Sequence, residues 1–140
     1  MSELVALVEH YLREWGSSGW ENAYHAVVEL GPQALPELEQ ALWKTRDSAF
    51  RAALVEMARQ IHSEDALPLF GIALRDPSPG VWKAALDGLV SLASSASLHL
   101  LQQAAESKPP GRTGVEEWRA WLTEALQQVQ AERDARGGAA

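Results

Sequence analysis

The chain has 140 residues, 46% of them hydrophobic, a formal net charge of −7 and no cysteine. This length suits a single globular domain that buries its own core. The lack of cysteine excludes disulfides, thiolate metal sites and cysteine nucleophiles. The acidic balance disfavours a general nucleic-acid binder, which needs a basic face against phosphates.

Polar and proline-containing breaks divide the sequence into about eight predicted helices. Ser2 is a suitable N-cap for the first, over residues 1–16, which Gly16-Ser17-Ser18-Gly19 terminates. The next are expected at 20–30, at 33–44, from Asp47 or Ser48 to 61, and after Ser63. Ser78 and Pro79 start the sixth, the seventh covers 98–106, and Thr113 with Glu116 forms a capping box for the last.

An internal repeat is the strongest pattern in the sequence. Ala34-Leu35-Pro36 and Ala66-Leu67-Pro68 lie 32 residues apart, and a weaker third copy, Ser97-Leu98-His99, follows 31 residues later. The preceding helices match at an offset of 31, where Phe50, Leu54, Ala58 and Ile61 correspond to Val81, Ala85, Leu89 and Leu92. This period predicts helical hairpins that stack and share a core. The expected core includes Leu54, Met57, Leu74 and Leu89.

These motifs resemble HEAT repeats, and in particular the short HEAT-like repeats of phycobilisome bilin lyases. In that pattern Ala-Leu-Pro opens the second helix of a pair and an Asp, here Asp76, follows it. An apolar–Arg signature opens the next helix, here Phe50-Arg51 and Val81-Trp82. Trp82 stands where the family commonly has Arg. The resemblance covers about residues 20–106.

The resemblance implies an all-α, right-handed α-solenoid of about three stacked HEAT-like hairpins with capping helices at both ends. One domain is expected over 1–132, with repeats at about 20–46, 47–76 and 77–107. The caps are 1–16 and 113–132, and residues 133–140 are expected to form a disordered tail.

A binding surface can be predicted from the second helix of each hairpin, which usually lines the concave face of such stacks. A helical wheel places Leu67, Phe70 and Leu74 inward, so Leu69 and Ile72 should point away. The positions that correspond to this pair, together with two tryptophans beside inter-repeat turns, complete the predicted partner-binding set: Glu37, Gln40, Trp43, Leu69, Ile72, Trp82, Leu100 and Gln103. The alternative is that the apolar members pack against adjacent helices. For Trp15, Trp118 and Trp121, core packing of the capping helices is expected.

The sequence offers no catalytic, cofactor-binding or metal-binding motif. The four histidines form no HxxxH or HExxH pattern, and His62-Ser63-Glu64-Asp65 reads as a helix start. Arg51 and Arg59 are expected on a solvated outer face, with a weak pair between Glu56 and Arg59.

The leading interpretation is a non-catalytic protein–protein interaction or scaffold module that binds on its concave face. An antitoxin- or immunity-type inhibitor of a basic toxic enzyme is an alternative that the charge permits. A bilin-lyase-like enzyme would rest on the resemblance alone, and binding to DNA like the HEAT-like glycosylases is disfavoured by charge. We expect a cytoplasmic protein with a protein partner, which the acidity allows to be basic, and with no cofactor, nucleic acid or membrane. The oligomeric state is left open.

Overall fold

The computed structural model describes His10 and residues 20–111 and 114–137. The predicted first cap, apart from the helical and exposed His10, lies outside the described residues. The same holds for the break at 16–19, for Trp15 and Thr113, and for residues 138–140.

The described residues are helical, with no strand among them. The helices are numbered here in chain order. They are α1 (Trp20–Leu30), α2 (Leu35–Lys44), α3 (Ser48–Ile61), α4 (Leu67–Ala73), α5 (Pro79–Leu92), α6 (Ser95–Glu106) and α7 (Val115–Ala135). Short 3₁₀ turns at Gly31–Ala34 and Glu64–Ala66 lead into α2 and α4.

Polar side chains at the predicted breaks start several helices by accepting orphan backbone N–H groups. Asp47 accepts from the N–H groups of Ala49 and Phe50 at 2.9 and 3.2 Å. Ser63 accepts from Asp65 N–H at 3.1 Å. Ser94 caps α6 in the same way, so this helix begins three residues before its predicted start at 98.

The repeat period is visible in the geometry as well as in the letters. Ala34, Ala66 and Ser97 occupy equivalent positions and are each 0% exposed. His62 and Ala93, 31 residues apart, both end a first helix in the left-handed conformation. Recurring backbone and burial at one spacing make the three hairpins copies of a single unit.

The hairpins stack through their first helices. The packing of α3 against α5 is the most extensive in the described structure, and α1 lies on the other side of α3. The second helices α2 and α4 cover this layer, and α7 closes the stack against α5 and α6. Leu54, Met57, Leu74 and Leu89 lie in the core, as predicted. The all-α repeat architecture is therefore confirmed.

The C-terminal helix extends further than predicted. Residues 133–135 continue α7, so the expectation of a disordered tail from residue 133 is wrong at its start. The reason is that Val129 is fully buried and Arg136 donates a 3.3 Å hydrogen bond to the Ala93 carbonyl. These contacts hold the last turn against α5.

Candidate partner-binding surface

An open groove of about 610 Å³ lies between α2 and α4. Trp43 stands at its edge with 69% of its surface exposed, and Pro68 and Ile72 supply an apolar wall from α4. We call this the Trp43 groove. Two predicted binding residues, Trp43 and Ile72, therefore line one cavity.

A second cavity, of about 440 Å³, lies between α4 and α6. Leu100 and Gln103, both in the predicted set, line it from α6, and Leu74 lines it from α4. We call it the Leu100 groove. Glu37 and Gln40 lie on α2 outside both grooves.

Gly71 and Arg75 border both grooves, and neither was in the predicted set. They are four residues apart, so they share one face of the α4 segment. A β-carbon at Gly71 would approach only Leu100 Cδ2, at 3.9 Å, so glycine here leaves space between the second helices. A glycine inside an otherwise apolar helix was the available sequence signal.

Leu69 and Trp82 are corrections to the predicted surface. Leu69 is 1% exposed, because the short α4 is packed by α3, α5 and α6 rather than along one face as the wheel assumed. Trp82 is 3% exposed, because α7 covers it. The rings of Trp82 and Trp118 meet edge to face at 5.1 Å. Both residues are part of the core.

The tryptophans of the C-terminal cap divide as their contacts dictate. Trp118 is buried, in agreement with the prediction, whereas Trp121 remains 38% exposed. Lys83 lies 4.9 Å from the centre of the Trp121 ring and also pairs with Glu117. A cation over an aromatic face adds to the attachment of α7.

Arg51 is not on a solvated face, as the sequence had suggested. Its guanidinium pairs with Asp76, with Nε–Oδ2 2.8 Å and Nη2–Oδ1 3.2 Å, and also donates to the carbonyls of Thr45 and Arg46. Asp76 accepts in addition from Ser78 N–H at 2.9 Å. One side chain thus ties the turn after the first hairpin to the turn after the second.

A second group of charges lies on the first helices. Arg59 pairs with Glu56, as predicted, and this hydrogen bond raises the pKa of Arg59. Burial raises the pKa of Tyr24 to about 12, and the nearby Glu56 adds to the effect. Desolvation also raises the pKa of Asp87, while the Arg59 charge acts in the opposite direction. These contacts link α1, α3 and α5 across their polar face.

Among the described residues no cluster of three or more His, Asp or Glu side chains is arranged to hold a metal ion. No helix in the same part of the chain is long and apolar enough to cross a membrane.

Stacked helical hairpins with a shared core define a helical-repeat protein. The model of the HEAT repeat family matches residues 35–127, about two thirds of the chain. The protein belongs to the HEAT repeat family. Comparison with curated proteins and with solved structures found no significant match. HEAT repeats commonly serve as protein-interaction scaffolds and are typically non-enzymatic.

Proposed function

We propose that this protein is a non-catalytic interaction module that binds a protein partner along the Trp43 and Leu100 grooves. The single observation that carries the proposal is the 69% exposure of Trp43 at the edge of an open, largely apolar groove. Leaving a tryptophan in water forgoes a large burial free energy. Tryptophan and arginine are also the residues most enriched at binding hot spots.

The arrangement of the second helices supports the same function. The first helices pack on one another and carry the core, so the second helices can stand apart without loss of the fold. Two adjoining openings on one face form a continuous track on either side of Gly71. A protein segment laid along it would bury Trp43, Ile72 and Leu100 together.

Site-specific photocrosslinking tests the proposal. A benzophenone amino acid replaces Trp43 in one version of the protein and Trp121 in a matched control, since Trp121 is a partly exposed tryptophan outside both grooves. We expect a partner to crosslink at residue 43 and not at residue 121. The adduct at 43 should disappear when Gly71→Leu fills the junction of the grooves. Equal crosslinking at both positions, or crosslinking insensitive to Gly71→Leu, would contradict the proposal.

A further inference from the structure

Arg75 occupies a singular position among the cavities described. It borders the Trp43 groove, the Leu100 groove and a third cavity of about 160 Å³, which Lys108, Pro109 and Trp118 also line. A ligand that spans any two of these cavities must pass the Arg75 side chain.

The guanidinium of Arg75 has no ion pair or hydrogen bond with any described residue. Arg51, the other arginine of the Trp43 groove, is fully used by Asp76 and two carbonyls. Asp76 in turn is held by Arg51 and by Ser78 N–H, so it is not available to neutralise Arg75. Glu106 is the other carboxylate among the lining residues of the three cavities.

The local charge is therefore opposite to that of the whole chain. Three cations, Arg51, Arg75 and Lys108, line the cavities against the carboxylates of Asp76 and Glu106, in a chain of net charge −7. An uncompensated guanidinium presents a planar fork of donors that suits a carboxylate. An apolar pocket beside it, made by Trp43, Pro68 and Ile72, suits an aliphatic or aromatic side chain.

We infer that the grooves accept an extended protein segment in which an acidic residue meets Arg75 and a neighbouring apolar residue packs beside Trp43. The inference rests on the proposed function and specifies the chemistry of its partner. It replaces the expectation of a basic partner, which came from net charge alone, with one based on the charge of the groove.

Selection of peptides from a random dodecapeptide phage library on the full-length protein tests the inference. We expect enrichment of sequences in which Asp or Glu lies near an aromatic or aliphatic residue. A synthetic peptide from this pool, measured by fluorescence anisotropy, should bind about tenfold or more weakly to Arg75→Glu. The same peptide with its acidic residue changed to the amide should lose a similar factor against the unmodified protein.

The controls separate charge at the groove from charge elsewhere. Arg119 is an exposed arginine on α7 that lines none of the three cavities, so Arg119→Glu makes the same charge change and should leave affinity within about twofold. Trp43→Ala should weaken the peptide, and Gly71→Leu should block it by size. Circular dichroism of each variant verifies that helicity is retained.

Each other outcome overturns a defined part of the argument. Peptides that need Trp43 but show no acidic preference would refute the inference and leave the proposed function standing. Peptides indifferent to both Trp43 and Arg75, or no groove-dependent peptide at all, would refute both. Sedimentation showing self-association that Trp43→Ala abolishes would identify the occupant as a second copy of the chain and refute the acidic segment.

Discussion

The ring of Phe70 on α4 lies against the backbone of Gly88 on α5, where a β-carbon at residue 88 would overlap ring atoms Cε1 and Cζ. Phe70 and Gly88 are both buried. The contact allows the second helix of one hairpin to sit close to the first helix of the next. Glycine at residue 88 is therefore required by packing, although it weakens the helix that contains it.

Gly88→Ala should lower the free energy of unfolding by about 1–3 kcal/mol, because the overpacking outweighs the better helix propensity of alanine. Gly71→Ala is the matched control, since its β-carbon meets only Leu100 at an ordinary distance. That change should raise stability by about 0.5–1 kcal/mol. Urea denaturation of the two variants measures both. A Gly88→Ala protein as stable as Gly71→Ala would mean that Phe70 moves aside freely.

Breaking the Arg51–Asp76 pair should be costly, because both side chains are mostly buried, 16% and 12% exposed. Arg51→Met and Asp76→Asn should each lower the free energy of unfolding by about 1.5–3 kcal/mol. The double variant should lose clearly less than the sum of the two. Additive losses in this double-mutant cycle would show that the pair does not couple the two turns.

The Glu56–Arg59 pair offers a contrast to the buried one. Both side chains are about one third exposed, so Arg59→Met should change stability by about 0.5 kcal/mol or less. Denaturation at low and high salt should show the weak pair to be the more sensitive of the two. A loss comparable to that of Arg51→Met would indicate a structural role for the polar face of α3.

Removal of Trp82 should release the C-terminal cap. Trp82→Ala leaves a cavity against Trp118 and should cost about 3–5 kcal/mol, with hydrogen exchange rising first in α7. Trp121→Ala is the matched variant, because that ring is 38% exposed, and should cost about 1 kcal/mol. Similar losses in the two variants would mean that Trp82 is not the principal anchor of α7.

Ionisation of Tyr24 should destabilise the protein in alkaline solution. Its pKa is raised from 10.0 to about 12 in the folded state, so the stability it contributes is complete below pH 10 and is lost as pH rises towards 12. Absorbance titration after rapid pH jumps should assign the late phase to Tyr24, since Tyr24→Phe removes it. A wild-type profile with every tyrosine titrating near 10 would contradict this burial effect.

The fold was accessible from the sequence because repetition and capping are local signals. The spacing of the Ala-Leu-Pro motifs placed the hairpins, and Asp47, Ser63 and the Ser78-Pro79 pair placed helix starts close to those observed. Capping depends on a few neighbouring atoms, so residue type suffices. The start of α6 was misjudged because several serines could serve as its cap, and packing selected Ser94.

The surface was only partly accessible, because exposure depends on how many neighbours surround a helix. A wheel assumes one buried face, whereas α4 has helices on several sides and buries Leu69. The wheel also assigns no role to a residue without a side chain, so it passed over Gly71. The pairing of Arg51 with Asp76 spans 25 residues and could be suggested only by resemblance, not by local pattern.

The exchange of arginine for Trp82 determines on which side the array can be lengthened. Arg51 offers the turn-to-turn link that a neighbouring unit needs, whereas Trp82 is committed to Trp118 and leaves no such link. A further 31-residue unit inserted before residue 77 would keep the aromatic seal intact and yield a longer rod. The same unit inserted after residue 107 would separate Trp82 from its seal and expose it. The protein thus carries a built-in terminator, and its length can be engineered from the N-terminal side only.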